Sequence, residues 1–278
     1  MLLRGSSFLS EAREQSRAVP AFVAYNLEMV QGIVAAAEAT EKPVLIIAGS
    51  SAFALAGLQP LASIALAAAQ ESTVAIGVHL DHCRRVDEIE TCLALGYSSV
   101  MFDGAQLSYV ENLTQTSSVV GAAHGVGAWV EAELVGIAGD EDRSSDALAT
   151  EMTDPGQAAD FVSRTGVDAL AVAVGNVHGF TSRPPQIDLA RLEEIARRVT
   201  VPLVLHGASG LSDEVLAGCV ARGVAKVNVN AELRRAYLAA MTSSTAAAAG
   251  DLVTSLGAAR DAVAATATRI IRVLDPTG

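Results

Sequence analysis

The stretch VAIGVHLDH (residues 74–82) is an apolar run of strand length that ends in a carboxylate, Asp81, and an imidazole, His82. Two distant apolar runs also end in histidine, ALAVAVGNVH at His178 and PLVLH at His206. Parallel barrels gather functional residues in this way, because the carboxyl ends of their strands surround one site. Three neutral imidazoles bind Zn²⁺ and leave a coordination position for a substrate oxygen. The sequence therefore predicts a metal site with Asp81 beside it as a general base.

Apolar runs of strand length alternate with segments of helical periodicity along the whole chain. Strands are predicted at 21–25, 44–48, 74–80, 99–103, 128–134, 169–175, 203–206 and 226–230. Helices are predicted at 27–40, 60–70, 86–95, 109–124, 155–165, 189–198, 213–221, 231–241 and 252–274. Most strand runs are continuously apolar, as expected when both faces of a parallel sheet are buried.

Eight such units without an internal boundary predict an α/β fold, a single-domain TIM (β/α)8 barrel over residues 1–278. A doubly wound open sheet is the alternative, disfavoured because no G-x-G-x-x-G follows the first strand. The polar connection 135–152 is either a disordered insert or, as we favour, a mobile active-site loop. A C-terminal helical extension is predicted from about residue 250.

Composition restricts the partners and the compartment. The 278 residues carry a net charge of −12 without a basic stripe, so nucleic acid is not an expected partner. No run approaches the roughly 18 apolar residues of a membrane span, and the amino terminus lacks a signal peptide. The three dispersed cysteines form no disulfide framework. We therefore expect a cytoplasmic protein, in a bacterial cytosol.

Further polar residues follow other predicted strands and would lie at the same end of the barrel. Asp103 either caps the next helix or belongs to the site, and Glu133 either fixes a histidine tautomer or acts as a secondary metal ligand. Glu131 has a weaker claim. His79 is interpreted as a packed neighbour and His124 as a helix residue, so neither is expected to bind the metal.

A turn of small residues, GASG (207–210), follows the strand that ends in His206. Free backbone amides at the start of a helix make an anion site. A glycine-rich turn is a weak signal by itself, but barrel phosphate sites often use the loops after strands seven and eight.

Longer motifs are distributed along the chain. They are HLDH (79–82), TDP followed by FVxxTGVDALAVAVGxxHG (153–179), PLVLHGASGLS (202–212), KVNVNAEL (226–233), PAFxxYNLE (20–28) and VEAEL (130–134). Together they resemble the class II, zinc-dependent fructose/tagatose-bisphosphate aldolases over about residues 5 to 273. The HGASGLS form is most like the tagatose-bisphosphate aldolase branch.

The resemblance implies reversible, metal-dependent aldol cleavage of a ketose (bis)phosphate to dihydroxyacetone phosphate and an aldehyde, through an enediolate that zinc stabilises. It assigns one Zn²⁺ to His82, His178 and His206, proton transfer at the carbon-bond partner to Asp81, and the mobile loop acid to Glu141. The residues implied to hold dihydroxyacetone phosphate are Gly179, Gly207, Ala208, Ser209, Asn228, Val229, Asn230 and Ala231. It further implies a monovalent cation such as Na⁺ or K⁺ near the phosphate, and a homodimer or homotetramer.

Two departures from the family pattern concern the substrate. Ala231 stands where the phosphate loop usually carries Thr, and Ala105 stands where Ser is common. Loss of a charge-assisted hydrogen bond costs about 1.5–3 kcal/mol. We therefore also consider an aldolase whose substrate differs from fructose or tagatose bisphosphate and need not be a bisphosphate.

Three other functions are weighed against this one. A Schiff-base aldolase needs an active-site lysine, and of the two lysines only Lys226 is a sensible candidate, at the bottom of the eighth strand and away from the site. A zinc hydrolase needs only the three histidines, but it leaves the phosphate turn unexplained. A non-catalytic partner subunit of an aldolase is disfavoured because all three histidines and Asp81 are present.

Overall fold

Continuously apolar strands, buried on both faces, decide the architecture. The structure is a computed structural model that describes residues 1–139, 151–182, 184–247 and 250–276. Its strands are β1 (Val19–Val23), β2 (Val44–Ala48), β3 (Ile76–Cys83), β4 (Ser99–Asp103), β5 (Trp129–Glu133), β6 (Ala138–Gly139), β7 (Ala169–Ala171), β8 (Val177–His178), β9 (Leu203–Leu205) and β10 (Val224–Val229). Within these ranges eight parallel strands close into a barrel in the order β1-β10-β9-β7-β5-β4-β3-β2, whereas β6 and β8 pair separately.

The helix α1 precedes the first strand and closes the amino-terminal end of the barrel, and the other helices follow barrel strands. They are α1 (Ser7–Glu14), α2 (Leu27–Thr40), α3 (Ser50–Ala56), α4 (Leu58–Glu71), α5 (Val86–Leu95), α6 (Tyr109–Gly125), α7 (Pro155–Thr165), α8 (Leu189–Arg198), α9 (Asp213–Val220), α10 (Ala231–Ala247) and α11 (Leu252–Leu274). The predicted TIM barrel is confirmed, and α2, α5, α7, α8 and α11 have the predicted bounds.

Three predicted strands are shorter in the structure: 128–134 becomes Trp129–Glu133, 203–206 becomes Leu203–Leu205, and 169–175 is shortened the most. The expected strand 169–175 ends at Ala171 because a side chain takes over the backbone partners there. The Asn176 amide accepts from the backbone N–H of Val174 and donates to the carbonyls of Val172 and His206. The chain therefore leaves the barrel wall before His178, and Val177–His178 form the short strand β8, which pairs with β6 outside the barrel.

The interior of the barrel is layered. At the amino-terminal end, Phe8 of α1 packs edge-on against Trp129, with ring centroids 6.1 Å apart, and forms an apolar floor. Glu131 follows Trp129 on the same face of β5, because alternate residues of a strand share a face. Glu131, Lys226 and His79 are all completely buried. A sealed polar layer therefore separates the apolar floor from the strand ends.

Among the described residues, no single helix has the length and apolar character needed to cross a membrane. The helices α3 and α4 pass that test only as a pair, and they are bent by 101° relative to each other.

Candidate active site

Three histidines converge at the carboxyl ends of the barrel strands, as the sequence predicted. Their ligand atoms all lie within 4.8 Å of one another. His82 Nε2 is 2.8 Å from His206 Nδ1, and the His178 ring centroid is 5.0 Å from that of His82. The three residues come from β3, from β8 and from the residue after β9.

A distortion in β3 lets two consecutive side chains reach this cluster. His82 has a positive φ of 42°, and the pairing of β3 with β4 shifts register between Leu80 and Cys83. Neighbouring residues of a regular strand point to opposite faces, and a bulge re-aims one of them. Asp81 Oδ1 consequently accepts from Asn228 Nδ2, which also lies 3.2 Å from His206 Nδ1.

The orientation of His206 is fixed by Glu131, which lies in the buried polar layer beneath it. Its Nε2 is 2.6 Å from Glu131 Oε1, whereas its Nδ1 faces His82. A carboxylate only accepts hydrogen bonds, so Nε2 carries the proton and donates it to Glu131. The lone pair of Nδ1 is then directed towards the other histidines, as a metal ligand requires.

Glu131 and Lys226 belong to the site more directly than the sequence indicated. From the sequence, Glu131 was expected to have only a weak claim to the site. Its hydrogen bond to His206 corrects that expectation. The placement of Lys226 away from the site is wrong, because its Nζ lies 2.7 Å from Glu131 Oε2. Burial alone would raise the pKa of Glu131, but the Lys226 ammonium and the His206 hydrogen bond hold that pKa well below its usual range.

A sequence signal could have revealed this pair. Glu131 and Lys226 lie in strands whose neighbouring residues are buried on both faces. A charge buried in such a place needs an opposite charge nearby. Each of these two buried charges therefore predicts the other as its ion-pair partner.

Glu133 and Asp103 lie on the other side of His82. Glu133 Oε2 is 3.4 Å and Asp103 Oδ2 is 4.0 Å from His82 Nδ1. Burial raises the pKa of Glu133 to about 7. Asp103 is not the cap of α6, a role that Ser108 fills; it accepts instead from Arg84 Nε at 2.7 Å.

The donor set fits a divalent metal ion. Zinc–nitrogen bonds of about 2.0–2.1 Å in a tetrahedral site place two ligand nitrogens roughly 3.3 Å apart. The 2.8 Å between His82 Nε2 and His206 Nδ1 therefore needs to widen by only about half an ångström. Imidazole nitrogens backed by carboxylates are the usual surroundings of zinc.

The residues predicted to hold a phosphate line a small cavity next to His178. Its lining residues include Gly179, Gly207, Ser209, Asn228, Asn230 and Ala231. Gly207 has φ +60°, and a Cβ on it would lie 2.6 Å from the backbone of Val177, so only glycine fits there.

Several of these residues already have partners within the chain. The Ser209 hydroxyl and the Gly210 amide both donate to Glu232, a contact that the sequence did not indicate. Asn230 Nδ2 donates to the Tyr25 hydroxyl at 3.0 Å. The predicted cradle residues Ala208 and Val229 pack their side chains into the hydrophobic core.

A larger cavity of about 570 Å³ opens beside His82 and His178. Arg84, Gln106 and Glu151 contribute polar groups to its wall. Cavities of this size hold small organic ligands.

The remaining predictions concern residues outside this cluster. His79 Nδ1 is 2.8 Å from Ser99 Oγ, and His124 Nε2 is 2.9 Å from Asp168 Oδ2, so neither joins the other three histidines. The predicted loop acid Glu141 lies outside the described residues.

Comparisons with known proteins agree with this geometry. The model of the family "Fructose-bisphosphate aldolase class-II" matches residues 4–278. The sulfofructosephosphate aldolase of Alkalicoccus urumqiensis is 35% identical over 264 residues, which cover 94% of this chain and 92% of that protein. The chain therefore belongs to the class II fructose-bisphosphate aldolase family, which makes it an aldolase and a lyase.

Solved structures are similar over the whole chain. The YdjI aldolase from Escherichia coli K12 has a TM-score of 0.90 and 32% identity, covering 100% of this chain and 99% of its own. A putative fructose-1,6-bisphosphate aldolase from Coccidioides immitis has a TM-score of 0.87 and 34% identity, covering 99% and 97%. The resemblance read from the motifs is confirmed.

Proposed function

We propose that the chain catalyses the reversible, metal-dependent cleavage of a ketose phosphate or bisphosphate to dihydroxyacetone phosphate and an aldehyde. One zinc ion per chain would be held by His82, His178 and His206. The observation that carries the proposal is their convergence within 4.8 Å, with Asp81 hydrogen-bonded to Asn228 at the same place. A zinc ion bound there acts as a Lewis acid towards the substrate oxygens.

Asp81 is proposed to move the proton of the reacting hydroxyl. When the carbon–carbon bond breaks, that hydroxyl loses its proton as its carbon becomes the aldehyde, and the other fragment gains a proton at carbon. Asp81 takes the first of these protons, and its carboxylate is oriented for this by Asn228 Nδ2 at 2.9 Å. The second proton transfer is proposed for Glu141.

The two cavities suggest how the substrate lies. We propose that the phosphate binds in the cradle formed by Gly179 and Gly207, with a monovalent cation such as Na⁺ or K⁺ near it. The rest of the sugar would extend into the cavity of about 570 Å³ beside His82. The name of one relative, sulfofructosephosphate aldolase, supports testing ketose phosphates beyond the two standard bisphosphates.

The experiment is a cleavage assay with the purified, zinc-loaded chain on fructose bisphosphate, tagatose bisphosphate, sulfofructose phosphate and unphosphorylated ketoses. We expect dihydroxyacetone phosphate to be released from at least one phosphorylated ketose, and EDTA to abolish the release. Zinc should restore it. A chain that stays metal-free in excess zinc, or that cleaves no phosphorylated ketose, would contradict the proposal.

Two alternatives are separated by the same preparation. Borohydride with substrate traps a Schiff base only where a lysine is the nucleophile. Lys226 is completely buried and donates a hydrogen bond to Glu131, so we expect borohydride to trap no Schiff base. A partner subunit would bind zinc without turnover.

Light scattering of the sample tests the proposed homodimer or homotetramer.

A further inference from the structure

We infer that Lys226 is a positioning residue that sets the orientation of Asp81 and of His206 through one ammonium group. The inference rests on the proposed function. Lys226 Nζ donates to Glu131 Oε2 at 2.7 Å and to Asn228 Oδ1 at 2.6 Å. None of these three residues is assigned such a role by the motifs.

One hydrogen bond of the Lys226 ammonium connects it, through Glu131, to the proposed metal ligand His206. Glu131 uses one carboxylate oxygen for Lys226 and the other for His206 Nε2, at 2.6 Å. Lys226 therefore fixes the plane of the carboxylate that receives the imidazole proton. That carboxylate in turn directs His206 Nδ1 towards His82.

The other hydrogen bond of the ammonium connects it, through Asn228, to the proposed proton-transfer group Asp81. An amide side chain has an accepting oxygen at one end and a donating nitrogen at the other. Because Asn228 Oδ1 accepts from Lys226, Asn228 Nδ2 is left to donate to Asp81 Oδ1 at 2.9 Å. Without the ammonium, the amide can rotate by half a turn and present its oxygen to the carboxylate, which repels it.

Stability alone does not explain a charged pair at this depth. Replacing a buried ion pair by apolar residues of similar volume is often neutral or stabilising. The Lys226 side chain is nevertheless completely buried in the barrel, directly beneath the site. One of its hydrogen bonds goes to Glu131, which contacts His206. The other goes to Asn228, which contacts Asp81. The geometry therefore gives the lysine a positioning task.

The test compares Lys226→Met with Lys42→Met, because these are the two lysines of the chain. Lys42 pairs with the buried Asp275 just before β2, at the amino-terminal end of the barrel and so opposite to the end where the histidines lie. For K226M we expect a zinc affinity lowered 10–100-fold in competition with a chelator. At saturating zinc, kcat should fall at least tenfold while KM for the phosphorylated ketose changes less than threefold. K42M should match the wild type in all three quantities.

The outcomes separate this inference from the proposed function. A wild-type chain that binds no zinc and cleaves no ketose phosphate overturns the proposed function. Wild-type zinc affinity and kcat in folded K226M overturn only the role of Lys226. Should K226M not fold, as judged by circular dichroism, Lys226→Gln is measured in the same way. Failure of both variants to fold assigns Lys226 to stability and overturns the inference.

Discussion

Glu131 Oε1 lies 2.6 Å from His206 Nε2, on the side of the imidazole that faces away from the other histidines. The carboxylate thereby selects the His206 tautomer whose Nδ1 is available to a metal. Outer hydrogen-bond partners of this kind raise the basicity of the ligand and fix its ring. The candidate metal site therefore has two layers, and only the upper one consists of the predicted ligands.

Glu131→Gln should lower zinc affinity 10–100-fold, because the amide accepts more weakly than the carboxylate and no longer pairs with the ammonium of Lys226. The measurement is competition with a chelator of known affinity. Glu193→Gln is the matched control, since Glu193 is half-exposed and pairs with Arg197 and Arg222 on the outside of the barrel. Equal zinc affinities of the two variants would contradict the prediction.

Asp81→Asn should reduce kcat by roughly 10²–10⁴, the usual contribution of a general acid or base. Zinc content should stay near one ion per chain, because the three imidazoles are untouched. Steady-state kinetics and metal analysis of the same sample measure both quantities. Asp87→Asn, in the exposed first turn of α5, should behave like the wild type. A kcat within threefold of wild type in D81N would remove Asp81 from the chemistry.

Ala231→Thr should lower KM for a phosphorylated ketose by about tenfold, which corresponds to ~1.4 kcal/mol. Ala231 begins α10 and lines the proposed phosphate cradle, so a hydroxyl there gains an anionic partner. Ala239→Thr, two turns further along α10, is the control and should leave KM unchanged. An unaltered KM in A231T would mean that the phosphate lies elsewhere.

Gly207→Ala should destabilise the fold by about 3 kcal/mol or more, since strain at a positive φ costs roughly 1–3 kcal/mol and a clash adds to it. The new Cβ would lie 2.6 Å from the backbone of Val177. Gly210→Ala shares a positive φ of 83°, but its nearest neighbour, on Phe180, is 3.7 Å away. Thermal unfolding of both variants separates the clash from the backbone strain. Similar midpoints for G207A and G210A would rule out the clash.

The barrel could be predicted because its signals are local. Buried strands read as short apolar runs, and helix starts carry recognisable caps, such as Asp154 before Pro155 and Ser212 before α9. The short helices α1 and α3 escaped prediction because they lack this signal, whereas α9, as short as α1, has it. Neither has an N-cap side chain bonded to its first turn. The cluster of three histidines was predictable because each of them ends an apolar run.

The rest of the site depends on contacts between residues far apart in the chain, and a local pattern can mark a buried charge without showing where its partner binds. The bond between Lys226 and Glu131 joins residues 95 positions apart. Likewise, the contact of Ser209 with Glu232 spans the helix α9, the strand β10 and the start of α10. A positive φ is uncommon for any residue other than glycine, although histidine adopts it more often than most, and at His82 it coincides with the register shift between β3 and β4. Such features arise only when the barrel closes and brings distant strands into register.

The bulge in β3 has a mechanical consequence. Asp81 and His82 are joined by a single peptide unit, so their spacing is set by covalent geometry and is insensitive to how the strands settle against each other. Small movements of the strands can change the distances from His178 and His206 to this pair, but the proposed proton carrier Asp81 and the proposed ligand His82 move together. Deleting one residue between 79 and 82 would therefore disable both tasks in one event, even in a chain that still closes its barrel.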